Sequence, residues 1–178
     1  MNCTILRDSD SQQAITEWHA RLHEDNQRGE RARMRRCDSL EEIMLQPTFY
    51  RLCRNPALRK QPVEGLALVA GLLAGVENYD NNPTAVLLGQ SKQPGDDNPL
   101  FSELRFQRLL ASKEPEDLFQ NLRRAIAQAG KKANPVLLAD EILHWQAQRK
   151  WPDSYRGRRQ WQYRMARGYY EPKNMGNP

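Results

Sequence analysis

The chain has 178 residues, 27 lysines and arginines against 22 aspartates and glutamates, and a formal charge of +5, enough length to bury one domain or two small ones. Its cysteines, Cys3, Cys37 and Cys53, are odd in number, far apart and without a C-x-x-C pair, which argues against a disulfide framework or a zinc site and for a reducing compartment. The longest apolar run, Val63 to Val76, is broken by Glu64, Gly65, Gly71 and Gly75 and falls short of the ~20 residues a membrane helix needs.

The stretch Met1 to Ser11 is polar and lacks the apolar core of an export signal, so a soluble cytoplasmic protein is expected. Charge is unevenly spread. Residues 1–89 carry 11 basic and 12 acidic side chains, whereas residues 90–178 carry 16 and 10. Most of the basic residues are arginine, the residue suited to bidentate phosphate contacts. An acidic polymer is the expected partner, with nucleic acid ahead of a membrane surface.

No segment alternates with period two over a useful length, and the pattern predicts an all-α protein of two small helical bundles joined by an extended loop. Ile15, Trp18 and Leu22 form the seam of a first helix, with Ser9, Asp10 or Ser11 available to cap it. Asp38 and Glu41 resemble a capping box opening a helix over Leu40 to Leu45. Pro47 suits the first turn of a short helix carrying Phe49, Tyr50 and Leu52. Val63 to Val76 reads as the most buried helix of this N-terminal bundle, residues 1–80.

Turn formers then crowd the 81–99 segment (Asn81, Asn82 and Pro83; Gln93, Pro94 and Gly95; Asp96 to Pro99), which reads as a linker with a short apolar stretch, Ala85 to Leu88, inside it. The C-terminal bundle, residues 100–178, follows. Leu100 to Ala111 directs Phe106, Leu109 and Leu110 inward. Pro115 starts a helix with the seam Leu118, Leu122, Ala125, Ile126 and Ala129, stopped at Gly130. Asn134 and Pro135 open another, with Leu138, Ile142 and Trp145 on one side, and Pro152 ends it. Trp18, Phe106, Leu122, Ile126 and Trp145 are expected in the core.

The terminal segment from Ser154 to Tyr170, wound as one helix, separates two faces. Arg156, Arg159, Tyr163, Arg167 and Tyr170 fall on one side, and Trp161, Met165 and Tyr169 on the other. A face that alternates guanidinium groups with aromatic rings suits nucleic acid, because arginine forks onto phosphate and tyrosine stacks on an unpaired base. The first basic cluster along the chain, Arg28, Arg31, Arg33, Arg35 and Arg36, puts four arginines within six residues, which repel one another unless an anion is near. Arg105, Arg108, Arg123, Arg124, Lys131 and Lys132 extend a basic track.

Support for catalysis is poor. His19 and His23 lie one helical turn apart, but not as H-E-x-x-H. His144 reads as a packed core histidine. Cys37, between Arg36 and Asp38, sits where a thiol pKa is open to lowering, yet no base is identified for it. The paired acids fall at turns and helix starts, where they favour the helix dipole. No phosphate-binding glycine loop or nucleophile elbow occurs, and no cofactor or metal is expected.

Four stretches, in order, carry a resemblance: Trp18 with Arg31 to Cys37; Gln46 to Leu52; Leu88 and Gly89 followed by Ser102 to Leu110 and Leu122 to Arg124; and Trp161 with Arg167 to Tyr170. In these the chain resembles the CasB family, the small subunit of the type I-E CRISPR surveillance complex Cascade. The resemblance implies an all-helical subunit with no catalytic activity, present in paired copies beside the backbone and large subunits. It also implies contact with CRISPR RNA, target DNA and the displaced strand of the R-loop. On the positions that match, it implies binding roles for Arg35, Arg36, Arg51, Arg105, Arg123 and Arg124, with Arg31 and Arg33 extending the first cluster. Arg156, Arg159 and Arg167 rest on the helix-face argument instead. Reversing Arg35, Arg36, Arg123 and Arg124 to Glu is expected to weaken the R-loop and spare the fold. The rival readings are a free-standing helix-turn-helix regulator, which needs base-reading residues, and a metal-dependent nuclease, which needs converging carboxylates.

Overall fold

Helix starts follow from which side chains satisfy the free N–H groups of each first turn. In the computed structural model, which describes residues 3–92 and 98–171, α1 (Ser9–Leu22) is capped by Asp8, whose carboxylate accepts from the Ser11 N–H at 2.8 Å. The cap is therefore one residue before the three candidates in the sequence. After α2 (Arg28–Arg36), α3 (Leu40–Met44) is capped by Ser39, which accepts from Glu42 N, while the Glu42 carboxylate accepts from Asp38 N at 2.9 Å. The cap and its acidic partner thus stand one residue later than Asp38 and Glu41, with Glu42 reaching the N–H before the cap instead of the cap's own. Pro47 opens α4 (Pro47–Cys53) as expected.

The next helix, α5 (Val63–Leu73), is buried on every side from Gly65 to Leu73, as a helix apolar all round must be. It packs on α3, α4, α8 (Pro115–Gln128) and α9 (Pro135–Lys150), and α1 also lies on α9. Trp18, Phe106, Leu122, Ile126 and Trp145 are all buried in one cluster that takes residues from both sides of the 81–99 segment. That segment is more than a linker. It carries α6 (Thr84–Gly89), whose residues Thr84 to Leu88 are buried, because the apolar stretch has enough length for a helical turn and a half. The expected turns at Gln93 to Gly95 and at Asp96 and Asp97 lie outside the described residues, as does the tail after Glu171.

In the C-terminal half, α7 (Glu103–Leu110) buries Phe106 and Leu109, and Pro115 and Asn134 with Pro135 open α8 and α9 as expected. The Asn134 side chain accepts from the N–H groups of both Val136 and Leu137. The chain leaves α8 through two left-handed residues, Gly130 (φ 69°) and Lys131 (φ 58°), with Lys131 N donating back to Ile126 O, the helix-ending geometry that glycine favours. This exit leads into a two-residue parallel strand pair, β1 (Asn78–Tyr79) with β2 (Lys132–Ala133), too short to show as alternation in a sequence. At the N-terminus, the buried Asp140 carboxylate accepts three backbone N–H groups, from Thr4, Ile5 and Leu6, at 2.7–2.8 Å.

The terminal segment corrects the expectation of one helix from Ser154 to Tyr170. Two 3₁₀ turns, Pro152–Ser154 and Gly157–Arg159, precede α10 (Trp161–Tyr170). Arg156 and Gln160 are extended and Gly157 is left-handed, so the helical ladder is broken twice before Trp161. Gln148 accepts the Trp161 N–H at 2.6 Å and His144 Nε2 meets Arg159 O at 2.9 Å, tying the irregular run to α9. Trp161, Met165 and Tyr169 face inward as expected.

Candidate nucleic-acid interface

A basic surface drawn from several elements is built around α8. Arg123 and Arg124 are adjacent on this helix, so they point about 100° apart, and each enters a different hollow. Arg124 joins Arg105 and Arg108 of α7 around a hollow of about 410 Å³ that also meets Phe101, Asn121 and Gln128. Arg123 joins Arg35 of α2 and Lys131 around a smaller hollow of about 170 Å³ floored by Met34, Leu72 and Phe119. Ala127, one turn further along α8, lines both. Six of the expected cations therefore form one band across a single helix.

Their partners differ. Arg35 and Lys131 share the Glu77 carboxylate at 2.6 and 3.0 Å, and the Lys131 hydrogen bond followed by the Arg35 charge holds that carboxyl below its ordinary range. Arg123 donates to the carbonyls of Arg35 (2.6 Å) and Cys37 (2.9 Å) and to Asp38 (3.0 Å), so it closes the C-terminal end of α2, where a cation is favoured. Arg105 donates to the neutral Gln128 at 2.7 Å. Arg108 and Arg124 are exposed and make no ion pair among the described residues. This division corrects one expectation: reversal of Arg123 would spoil the end of α2 along with the surface charge.

Other expected residues are elsewhere or committed. Arg51 is bound to Glu30, Thr48 and Gln27, with Arg51 first among the causes that keep the Glu30 carboxyl low. Arg31 meets His23 Nδ1 at 3.0 Å, while Arg33 and Arg36 are exposed on α2. Arg156 pairs with Asp153, and Arg167 of α10 with Glu171 at 3.7 Å. Arg156 and Arg159 stand on the 3₁₀ run, so the expected continuous face with Tyr163, Arg167 and Tyr170 does not exist on one helix. Tyr163 and Tyr170 are exposed, but Tyr170 accepts from Gln107 at 2.7 Å and donates to Glu103 at 2.8 Å.

The nucleophile and metal candidates resolve plainly. Burial first, and then the Glu42 carboxylate, raises the Cys37 thiol pKa, the reverse of the lowering expected beside Arg36. Burial also lowers both histidines, His19 to about 4, and His144 is buried. No group of three or more metal-ligating side chains occurs among the described residues. No helix among them is long and apolar enough to cross a membrane.

Sequence reasoning missed Glu77, Ala127, Phe101, Asn121 and Gln128. Nothing in a linear pattern marks a carboxylate 54 residues from its lysine or an alanine standing between two hollows. Among comparisons with known proteins, the family model described as CRISPR-associated protein Cse2 matches residues 30–170. No curated protein and no solved structure matches the chain.

Proposed function

The chain belongs to the CRISPR-associated protein Cse2 family, the CasB family of the sequence resemblance, and from that premise we propose that it is a non-catalytic small subunit of a type I-E Cascade complex whose α8 band holds nucleic acid. Its partners in this reading are the backbone and large subunits, a second copy of itself, CRISPR RNA, target DNA and the displaced strand. The observation that carries the binding role is the convergence of Arg105, Arg108 and Arg124 on one hollow whose lining residues include no carboxylate. Three like charges gathered from two helices repel one another, and a phosphate among them removes that cost while gaining charge-assisted hydrogen bonds.

Such contacts carry no sequence information, and none is needed where guide pairing reads the target. Opening a duplex onto a guide is nearly balanced in free energy, so a few phosphate contacts to a displaced strand decide how long the R-loop lasts. The test is the double reversal Arg108→Glu with Arg124→Glu in the reconstituted complex, two positions with no ion pair to lose. The complex should assemble, release its R-loop faster, and show a salt dependence of log K shallower by about 1.4 for two lost single-strand contacts. An unchanged lifetime and slope, with an intact circular-dichroism spectrum, would remove the band from nucleic-acid binding. A tagged chain recovered from its host at mild salt without CRISPR RNA would remove the Cascade assignment itself.

A further inference from the structure

The α7–α8 hollow has features that phosphate binding alone does not require. Its volume, about 410 Å³, lies in the range that encloses a small organic ligand, whereas phosphates on a flat basic face need no enclosure. Its lining includes the exposed Ala127 and the edge that the buried Phe101 leaves open, together with three arginines. Phe101 is itself held in place, because its carbonyl accepts from the Tyr169 hydroxyl at 2.5 Å. Gln128 is fixed between Arg105 and the Leu100 carbonyl. Asn121 donates to Ser112 Oγ at 3.0 Å, which orients its side chain at the rim. The hollow thus combines an apolar wall, fixed amides and guanidinium groups that accept one charge.

From this we propose that the hollow seats one unpaired nucleotide of a single strand, its base turned in over Ala127 at the Phe101 edge and its phosphate held by Arg105, Arg108 and Arg124. This deepens the nucleic-acid reading and rests on it. A duplex keeps its bases stacked inside and presents only phosphate to the rim, so the seat distinguishes a displaced strand from a paired one. Because the wall is apolar, it accepts any base, consistent with binding independent of sequence.

The test compares an oligothymidine with an abasic deoxyribose-phosphate chain of the same length, each binding the full chain at low salt by fluorescence anisotropy. Wild type should prefer the oligothymidine by about tenfold, the scale of one base contact. Ala127→Trp fills the hollow from an exposed helix position without removing a charge. It should abolish the preference, bringing the oligothymidine affinity down to that of the abasic chain. Arg108→Glu with Arg124→Glu should weaken both ligands together. The absence of a preference in wild type, or its survival in Ala127→Trp, overturns the nucleotide seat and leaves backbone binding standing. Binding of free thymidine monophosphate without binding of either strand also overturns it, and failure to bind both strands overturns the wider reading as well.

Discussion

Gly89, at the end of α6, is the position where one methyl group would do most harm. A Cβ built there meets Tyr169 O at 2.0 Å, Tyr169 C at 2.8 Å and Tyr169 Cα at 2.9 Å, where ordinary contact begins near 3.4 Å. All three atoms are α10 backbone, which has no rotamer through which to yield. In Gly89→Ala the two helices must part by about 1.4 Å, the difference between those distances. Parting of that size forfeits a quarter to a half or more of the dispersion attraction across the joint. It also strains the Tyr169 hydroxyl bond to Phe101 and the stack of Tyr169 on Phe106, whose rings lie 3.9 Å apart.

Overpacking against movable side chains costs about 1–3 kcal/mol, so a clash with backbone belongs at about 3 kcal/mol or above. For a chain of this length that lowers the melting temperature by about 6–12 °C. Far-ultraviolet circular dichroism would follow the unfolding, and tryptophan fluorescence would report Trp161 leaving its buried site on α10. Gly29→Ala is the control. Nothing lies within 4 Å of a Cβ at that α2 position, and the exchange should gain about 0.5–1 kcal/mol from helix propensity. If Gly89→Ala melted within about 2 °C of wild type, well inside the expected fall, the close approach of α6 to α10 would be refuted, and with it the account of Gly89 as the residue that lets α10 dock.

Two further perturbations follow from charges the sequence did not expose. Glu141 is held in the interior with Oε1 accepting from Thr84 N at 3.2 Å and Oε2 buried without a partner, and burial pushes its pKa from 4.5 to about 7. The folded state therefore resists ionisation while the unfolded state does not, so the penalty is absent below about pH 4.5, grows between the two values and is complete above about pH 7. Glu141→Gln should raise the melting temperature at pH 8 and change it little at pH 5; an equal gain at both would separate the effect from this carboxyl. Glu77→Gln releases Arg35 and Lys131 from the carboxylate they share. Those pairs are partly exposed and worth little to the fold, so the variant should melt like wild type and bind single strands more tightly, with a salt slope steeper by up to about 0.7. Unchanged binding would exclude the α2–α8 hollow from the nucleic-acid path.

Much of the fold was legible because its signals are local. Proline at the first turns of α4, α8 and α9, Asn134 before α9, and the 3.6-residue apolar spacing of α1 and α8 each act within one or two turns, and each element forms where its residues predict. The misses share a physical cause. The caps of α1 and α3 lie one residue from the expected positions, since Asp8, Ser9, Asp10 and Ser11 all have capping chemistry and tertiary packing decides among them. The helix over 154–170 fails because side-chain periodicity is blind to backbone breaks: Gly157 adopts φ 58° and Gln160 is extended, while the arginines continue at helical spacing. The contribution of α6 depends on a partner 80 residues away, Tyr169 against Gly89, which no window of sequence contains.

The basic surface was legible as a composition and illegible as a place. Arg123 and Arg124, read as a pair, carry little information, because two adjacent arginines occur on many solvated helices. What distinguishes them is the rotation of α8, which sends one to the end of α2 and the other to the arginines of α7, with Ala127 between. In the proposed seat the small residue at that point matters as much as the charges. A long side chain there would fill the α7–α8 hollow and leave its three arginines on a convex ridge, able to attract a strand but not to seat any part of it. The arginines thus supply attraction that any register would retain, whereas the spacing of Arg123, Arg124 and Ala127 on one helical turn supplies the shape. That is why exchanging Ala127 tests the seat and exchanging the arginines tests only the field around it.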